Sequence, residues 1–146
     1  MYRILLATDG SEHAEKVITH ALKIAEAMKA EVNILTVVGE YVFSPRVSVQ
    51  FSDDNWKLIN QQLKEEAEEL VGKAAEPFKA KGLTVKTEVV IGHQSPADVI
   101  CEKAREWNID LVIMGNRGLR GIKEVFLGSV SNKVAHIGCT SIMIVK

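Results

Sequence analysis

Leu111-Val-Ile-Met114 runs directly into Gly115-Asn-Arg-Gly118-Leu-Arg-Gly-Ile-Lys-Glu-Val-Phe-Leu-Gly128-Ser129-Val-Ser131, and this stretch decides the fold. An apolar run, a glycine-hinged loop and a helix start, in that order, predict a buried strand that turns into a helix. Glycine lets backbone amides approach a ligand that a Cβ would hold off, and a helix N-terminus offers unpaired N–H groups with about half a positive charge. Together they describe an anion site, above all for phosphate. No Gly-Lys-Ser/Thr closes the stretch, so it is not the usual P-loop. Its glycines are also spaced too widely for the dinucleotide fingerprint.

Strand and helix signals alternate on the N-terminal side of this segment. Ile4-Leu-Leu-Ala7 reads as a strand buried on both faces, ending in the turn Thr8-Asp-Gly-Ser11. Ala14, Val17, Ile18, Ala21, Leu22, Ala25 and Met28 then mark the inner face of a helix that Ser11 or Asp9 can cap. Val32 to Val38 is a second strand, and residues 39 to 53, with Pro45, read as a long excursion. From Asp54 to Lys81, one face carries Trp56, Ile59, Leu63, Ala67, Leu70, Ala74 and Phe78, which predicts a long amphipathic helix covering a sheet and stopped by Gly82.

Val85 to Ile91 alternates in the manner of a strand nearer the sheet edge. Ser95, Pro96 and Asp98 form a helix start, with serine as cap, proline at the first helical position and an acid three residues after the cap. Ile100, Cys101, Ala104 and Trp107 form that helix's inner face. Leu111 to Met114 is the fourth strand, Val130 to Ile137 the last helix, stopped by Gly138, and Ser141 to Val145 the fifth strand. This order predicts one α/β domain over residues 1–146: a five-stranded parallel sheet with helices on both faces, a Rossmann-like three-layer sandwich. Ligands of such sheets sit beyond the carboxyl ends of the strands where the winding reverses. The turn after the first strand and the glycine run after the fourth both lie at that end.

Composition narrows the functional classes. At 146 residues, 47% hydrophobic and 25% charged, with a net charge of -1, the chain has no global pull toward nucleic acid or anionic lipid, so an anion site must be local. The first apolar run is too short for a signal-peptide core and no other run approaches a membrane span, which points to the cytoplasm. Cys101 and Cys139 lack metal-ligand spacing and sit among apolar residues, which reads as buried thiols in a reducing cytosol. His13, His20, His93 and His136 do not cluster, and no metal site is expected.

Gly115 and Gly118 let the loop fold close around phosphate oxygens, and Gly128 lets the next helix begin against them; the alternative is that these glycines only serve turns and Ser129 is a plain cap. Ser129 and Ser131 fall in the first helical turn, where hydroxyls and backbone N–H groups can donate to the same oxygens. Arg117, Arg120 and Lys123 either bring positive charge to a triphosphate or stay solvated. Asp9 stands where a carboxylate holds ribose hydroxyls or a magnesium-bound water, with helix capping as its competing role. No Gly-x-Ser-x-Gly elbow, local His-Cys pair or paired carboxylates point to a hydrolase.

Gly115, Gly118, Gly128 and Ser129 match G-x2-G-x9-G-S/T, the ATP-binding signature of the universal stress protein family, which the chain resembles along its whole length. The likeness includes Ile4-Leu-Leu-Ala-Thr-Asp9-Gly-Ser, Gly92-His-Gln-Ser-Pro-Ala-Asp98, Asp110-Leu-Val-Ile-Met-Gly115 and Gly128-Ser-Val-Ser-Asn-Lys-Val134. The resemblance implies the ATP-binding branch, with ATP at the carboxyl end of the sheet and Mg2+ bound through its phosphates. By position, Asp9 would hold the ribose, while Ala7, Thr8 and Val37 would frame the adenine. Met114, Gly115, Gly118, Gly128, Ser129, Val130 and Ser131 would surround the phosphates, with Arg117 in the same loop. It also implies a homodimer through Ser141 to Val145, where an uncovered edge strand invites pairing. The chain departs from the family at Cys139-Thr-Ser, where Cys-Pro-Val is common, and at Ala7, where proline or another small residue is frequent.

The expected function is therefore an ATP-binding regulatory or stress-response module with little intrinsic catalysis and an unidentified regulatory protein partner. Two alternatives stand beside it: a slow ATPase or autophosphorylating enzyme, and an interaction protein that binds no nucleotide.

Overall fold

Ile4, Leu5 and Leu6 are fully buried, which only a central strand covered on both faces achieves. The computed structural model describes residues 1–11, 13–39, 53–92, 94–116 and 129–146. The excursion at 40–52, His93, the loop residues 117–128 and the Trp56 side chain lie outside what is described. Five strands, β1 (Arg3–Ala7), β2 (Glu31–Gly39), β3 (Val85–Gly92), β4 (Leu111–Gly115) and β5 (Ser141–Val145), alternate with four helices. These are α1 (Ala14–Met28), α2 (Asp53–Ala80), α3 (Pro96–Glu106) and α4 (Ser129–Ile137). All strand pairs are parallel, in the order β3-β2-β1-β4-β5.

That order explains the two-sided core. The chain winds one way from β1 through β2 to β3, then crosses back to β4 and on to β5, so right-handed crossovers put α1 and α2 on one face and α3 and α4 on the other. On the first face Ile4, Leu6, Ile34 and Ile113 meet Val17, Ala21 and Ala25 of α1 and Val71, Ala75 and Phe78 of α2. On the second, Leu5, Leu35, Val112 and Met114 meet Ile100, Cys101 and Ala104 of α3 and Val134 of α4. Odd and even residues of one strand thus serve different layers. β3 and β5 are the edges, as the alternation in Val85 to Ile91 foretold for β3.

Several local expectations need correction. α2 is as long as its periodicity predicts, and along its expected inner face Ile59 and Leu63 are half-buried before Ala67, Ala74 and Phe78 reach the buried core. Met28 ends the apolar stripe of α1 half-exposed. His13 is the N-cap of α1 and its side chain makes no capping bond. The Asp9 carboxylate instead accepts from the Ser11 N–H at 3.0 Å, which closes the turn before the helix. Ser95 does occupy the N-cap of α3, ahead of Pro96, but its hydroxyl does not cap the helix. It accepts from Lys133 of α4 at 3.0 Å, and Asp98 accepts from the same ammonium at 2.9 Å. What reads locally as a capping box is a tie between two helices.

The cysteines differ most. They are joined as a disulfide, not held as separate thiols, because the fold brings α3 against the segment that leads into β5. On the open side of that helix, Lys103 bonds Glu88 of β3 at 2.7 Å and Glu106 at 3.2 Å and lies over the Trp107 ring. The Glu88 bond, chiefly, raises its pKa above the ordinary lysine value.

Candidate functional site

The winding reverses between β1 and β4, where Ala7 pairs with Met114 on one side and with Leu35 on the other. β1 stops there because Thr8-Asp-Gly has no apolar side chain to bury, and the chain leaves the sheet through a held turn. The Thr8 N–H donates to the Leu35 carbonyl at 3.0 Å, and the Thr36 hydroxyl donates to the Thr8 carbonyl at 2.8 Å. Gly10 follows with φ +73, a left-handed conformation that favours glycine, and a Cβ there would collide with Leu70 of α2. Asp9, at the top of the turn, is exposed.

On the other side of the crevice, β4 ends at Gly115 and the next residue is held by a bond from the Asn116 N–H to the Val145 carbonyl at 2.9 Å. α4 begins at Ser129, which is exposed, while Ser131 in the same turn is 2% exposed. Val130 packs against the α3/α4 core, and the Lys133 tie to Ser95 and Asp98 holds the start of α4 to α3. Ala7 and Val37 are half-buried and Met114 is buried, so three neighbouring strands end in small or apolar side chains. A cleft of about 690 Å³ opens from Thr8 and Gly10 between α1 and α2, with Ile18, Leu70 and Lys73 on its walls.

Of the residues singled out in the sequence, Ala7, Thr8, Asp9, Val37, Met114 and Gly115 therefore lie at the carboxyl ends of β1, β2 and β4. Ser129, Val130 and Ser131 form the first turn of α4. Arg117, Gly118 and Gly128 fall outside the described residues, as do Arg120 and Lys123. No group of three His, Cys, Asp or Glu side chains among the described residues is placed to hold a metal ion. No described helix is long and apolar enough to cross a membrane.

Two residues at this end escaped the sequence reading. Thr36 is buried and positions the β1 turn; its signal was a hydroxyl inside the apolar run Val32 to Val38, which needs a partner wherever it is buried. Asn116 is 8% exposed, and its Oδ1 accepts no hydrogen bond from the described residues. An amide directly after an apolar strand was the visible sign.

The comparisons with known proteins agree with this architecture. The universal stress protein family model matches residues 1–146. Over 144 residues the chain is 33% identical to the universal stress protein MJ0531 of Methanocaldococcus jannaschii, covering 99% of this chain and 81% of that one. The solved structure of MJ0577 from the same organism superposes with a TM-score of 0.83 at 28% identity, covering 99% and 95% of the two chains. A universal stress protein solved in complex with cAMP superposes with a TM-score of 0.68 at 26% identity, covering 99% and 95%. With the sheet order, the helices on both faces and a match over its full length, the chain belongs to the universal stress protein family.

Proposed function

We propose that this protein is a cytoplasmic nucleotide-dependent regulatory module that binds ATP in the crevice between the ends of β1 and β4. The observation that carries the reading is the meeting, at a topological switch point, of a hydrogen-bonded turn bearing an exposed carboxylate and a helix N-terminus bearing two serines. Asp9 is suited to ribose hydroxyls, and Ala7, Val37 and Met114 offer an apolar surface to an adenine ring. Gly115, Ser129, Val130 and Ser131 surround the phosphates, with Arg117, Gly118 and Gly128 completing the loop.

The residues present fit such a ligand. Asn116 supports it, since a buried acceptor without a described partner is costly unless something at the site satisfies it. Magnesium would be carried on phosphate oxygens, and a relative solved in complex with cAMP supports a nucleotide as the ligand. Among the described residues nothing pairs with the outer edge of β5, which favours a homodimer through that strand. Regulation then follows from occupancy, read by a protein partner, with little hydrolysis.

Equilibrium binding of labelled ATP to the parent and to Gly118→Val tests this. Saturable binding in the parent that the variant loses is the expected result; no binding in the parent, or equal binding in both, overturns it.

A further inference from the structure

Cys101 and Cys139 lie 38 residues apart in sequence, yet their Cα atoms are 5.4 Å apart, inside the span a disulfide bridges without moving the backbone. Cys101 is 1% exposed on the inner face of α3, among residues of the second core cluster. Cys139 is half-buried, follows Gly138 just past the end of α4, where φ is +64, and is separated from the edge strand β5 by Thr140 alone. Cys101 is thus the fully buried member of the pair, while Cys139, half-buried, packs against the same cluster and is the less covered of the two.

A chain of this length, with an apolar cluster on each face of its sheet, does not need a staple to fold. α4 is already tied to α3 through Lys133, Ser95 and Asp98 near its start. The cysteine pair adds a second tie just beyond its other end, and this one responds to thiols. We infer that Cys101 and Cys139 form a reversible redox site that clamps α3 to the chain entering β5.

The exchange runs through Cys139. A small-molecule thiolate attacks the Cys139 Sγ, the Sγ–Sγ bond breaks, and the Cys101 sulfur leaves as a thiolate and takes a proton. A second thiolate attacks the outer sulfur of the mixed disulfide, which frees Cys139 and releases a small-molecule disulfide. Each turn reduces one protein disulfide to two thiols and oxidises two small thiols to one disulfide; the reverse closes the clamp.

The test holds the full chain in buffers of graded reduced-to-oxidised glutathione ratio, traps free thiols by alkylation and weighs the intact protein. A single reversible transition is expected between a doubly alkylated chain and an unalkylated one. In the same samples, amide exchange over residues 138–145 should be about tenfold or more slower in the oxidised form, with α1 unchanged. Cys139→Ser should abolish the transition, and Cys101→Ala with Cys139→Ala should exchange like the reduced parent. The parent titration stands alone if either variant fails to fold. Thiols alkylated at every ratio, a disulfide that resists reduction in the folded chain, pairing between two chains, or equal exchange in both forms would each overturn the inference.

Discussion

Replacing Thr36 by valine keeps the side-chain shape and deletes one hydroxyl. That hydroxyl, on a residue 5% exposed, donates to the Thr8 carbonyl at 2.8 Å and fastens the β1 turn to β2. A neutral hydrogen bond is worth about 1 kcal/mol net, and leaving a buried acceptor unpaired costs about 1–3 kcal/mol. The bond is only partly buried, which puts the loss near the lower end, at about 1–2 kcal/mol. For a chain of this size that lowers Tm by roughly 2–8 °C. The same loosening acts on the turn that carries Asp9. At about 1.4 kcal/mol per decade, a loss of that size carried into binding should weaken ATP affinity by up to about thirtyfold. Thermal melts and equilibrium binding read the two effects, and Thr36→Ser, which keeps the donor, should hold most of the affinity. A Thr36→Val protein with parental Tm and parental affinity would refute the idea that this bond builds the site.

Gly10→Ala forces a Cβ into a left-handed conformation and against Leu70, so a loss of about 1–2 kcal/mol is expected in urea melts; an unchanged midpoint would contradict it. The Lys86 ammonium, 2.9 Å from Glu31, holds that carboxyl below its usual pKa of 4.5. The folded state therefore favours the charged form, and its contribution is present above the unfolded pKa and lost as pH falls through the folded one. With Lys86 exposed, Glu31→Gln should cost less than about 1 kcal/mol at neutral pH, with the gap closing as pH falls through the lowered carboxylate pKa; an equal gap at neutral and acidic pH would count against the pair. Ile144 is half-exposed on β5 and belongs to neither buried cluster, so Ile144→Lys should convert a dimer to monomer by light scattering. An unchanged dimer would move the interface elsewhere.

The parts of the fold that were legible in the sequence are those set by local pattern. Ile4 to Leu6 could only be a strand covered on both sides, and Ser141 to Val145 is bounded as its apolar run is. Which helical face is apolar is likewise periodic information. How deeply each residue of that face is covered is not, so along α2 Ile59 and Leu63 stay half-buried while Ala67, Ala74 and Phe78 reach the core. Links between distant segments were also illegible. Lys133 reaches Ser95 and Asp98 across 38 and 35 positions, and the cysteine pair closes over 38. Topology alone brings these together. For the candidate site, the residues at strand ends and at the start of α4 could be placed from the order of elements. Thr36 and Asn116 could not, because their roles depend on burial and on the carbonyls nearby.

Titration of the full-length protein with ATP, followed residue by residue through its backbone amide resonances, tests the proposed crevice most directly. The expected result is saturable shifts concentrated at Thr8 to Ser11, Val37 to Gly39, Met114 to Asn116 and Ser129 to Ser131. Shifts confined to the cleft between α1 and α2, or no shifts at saturating ATP, would contradict it.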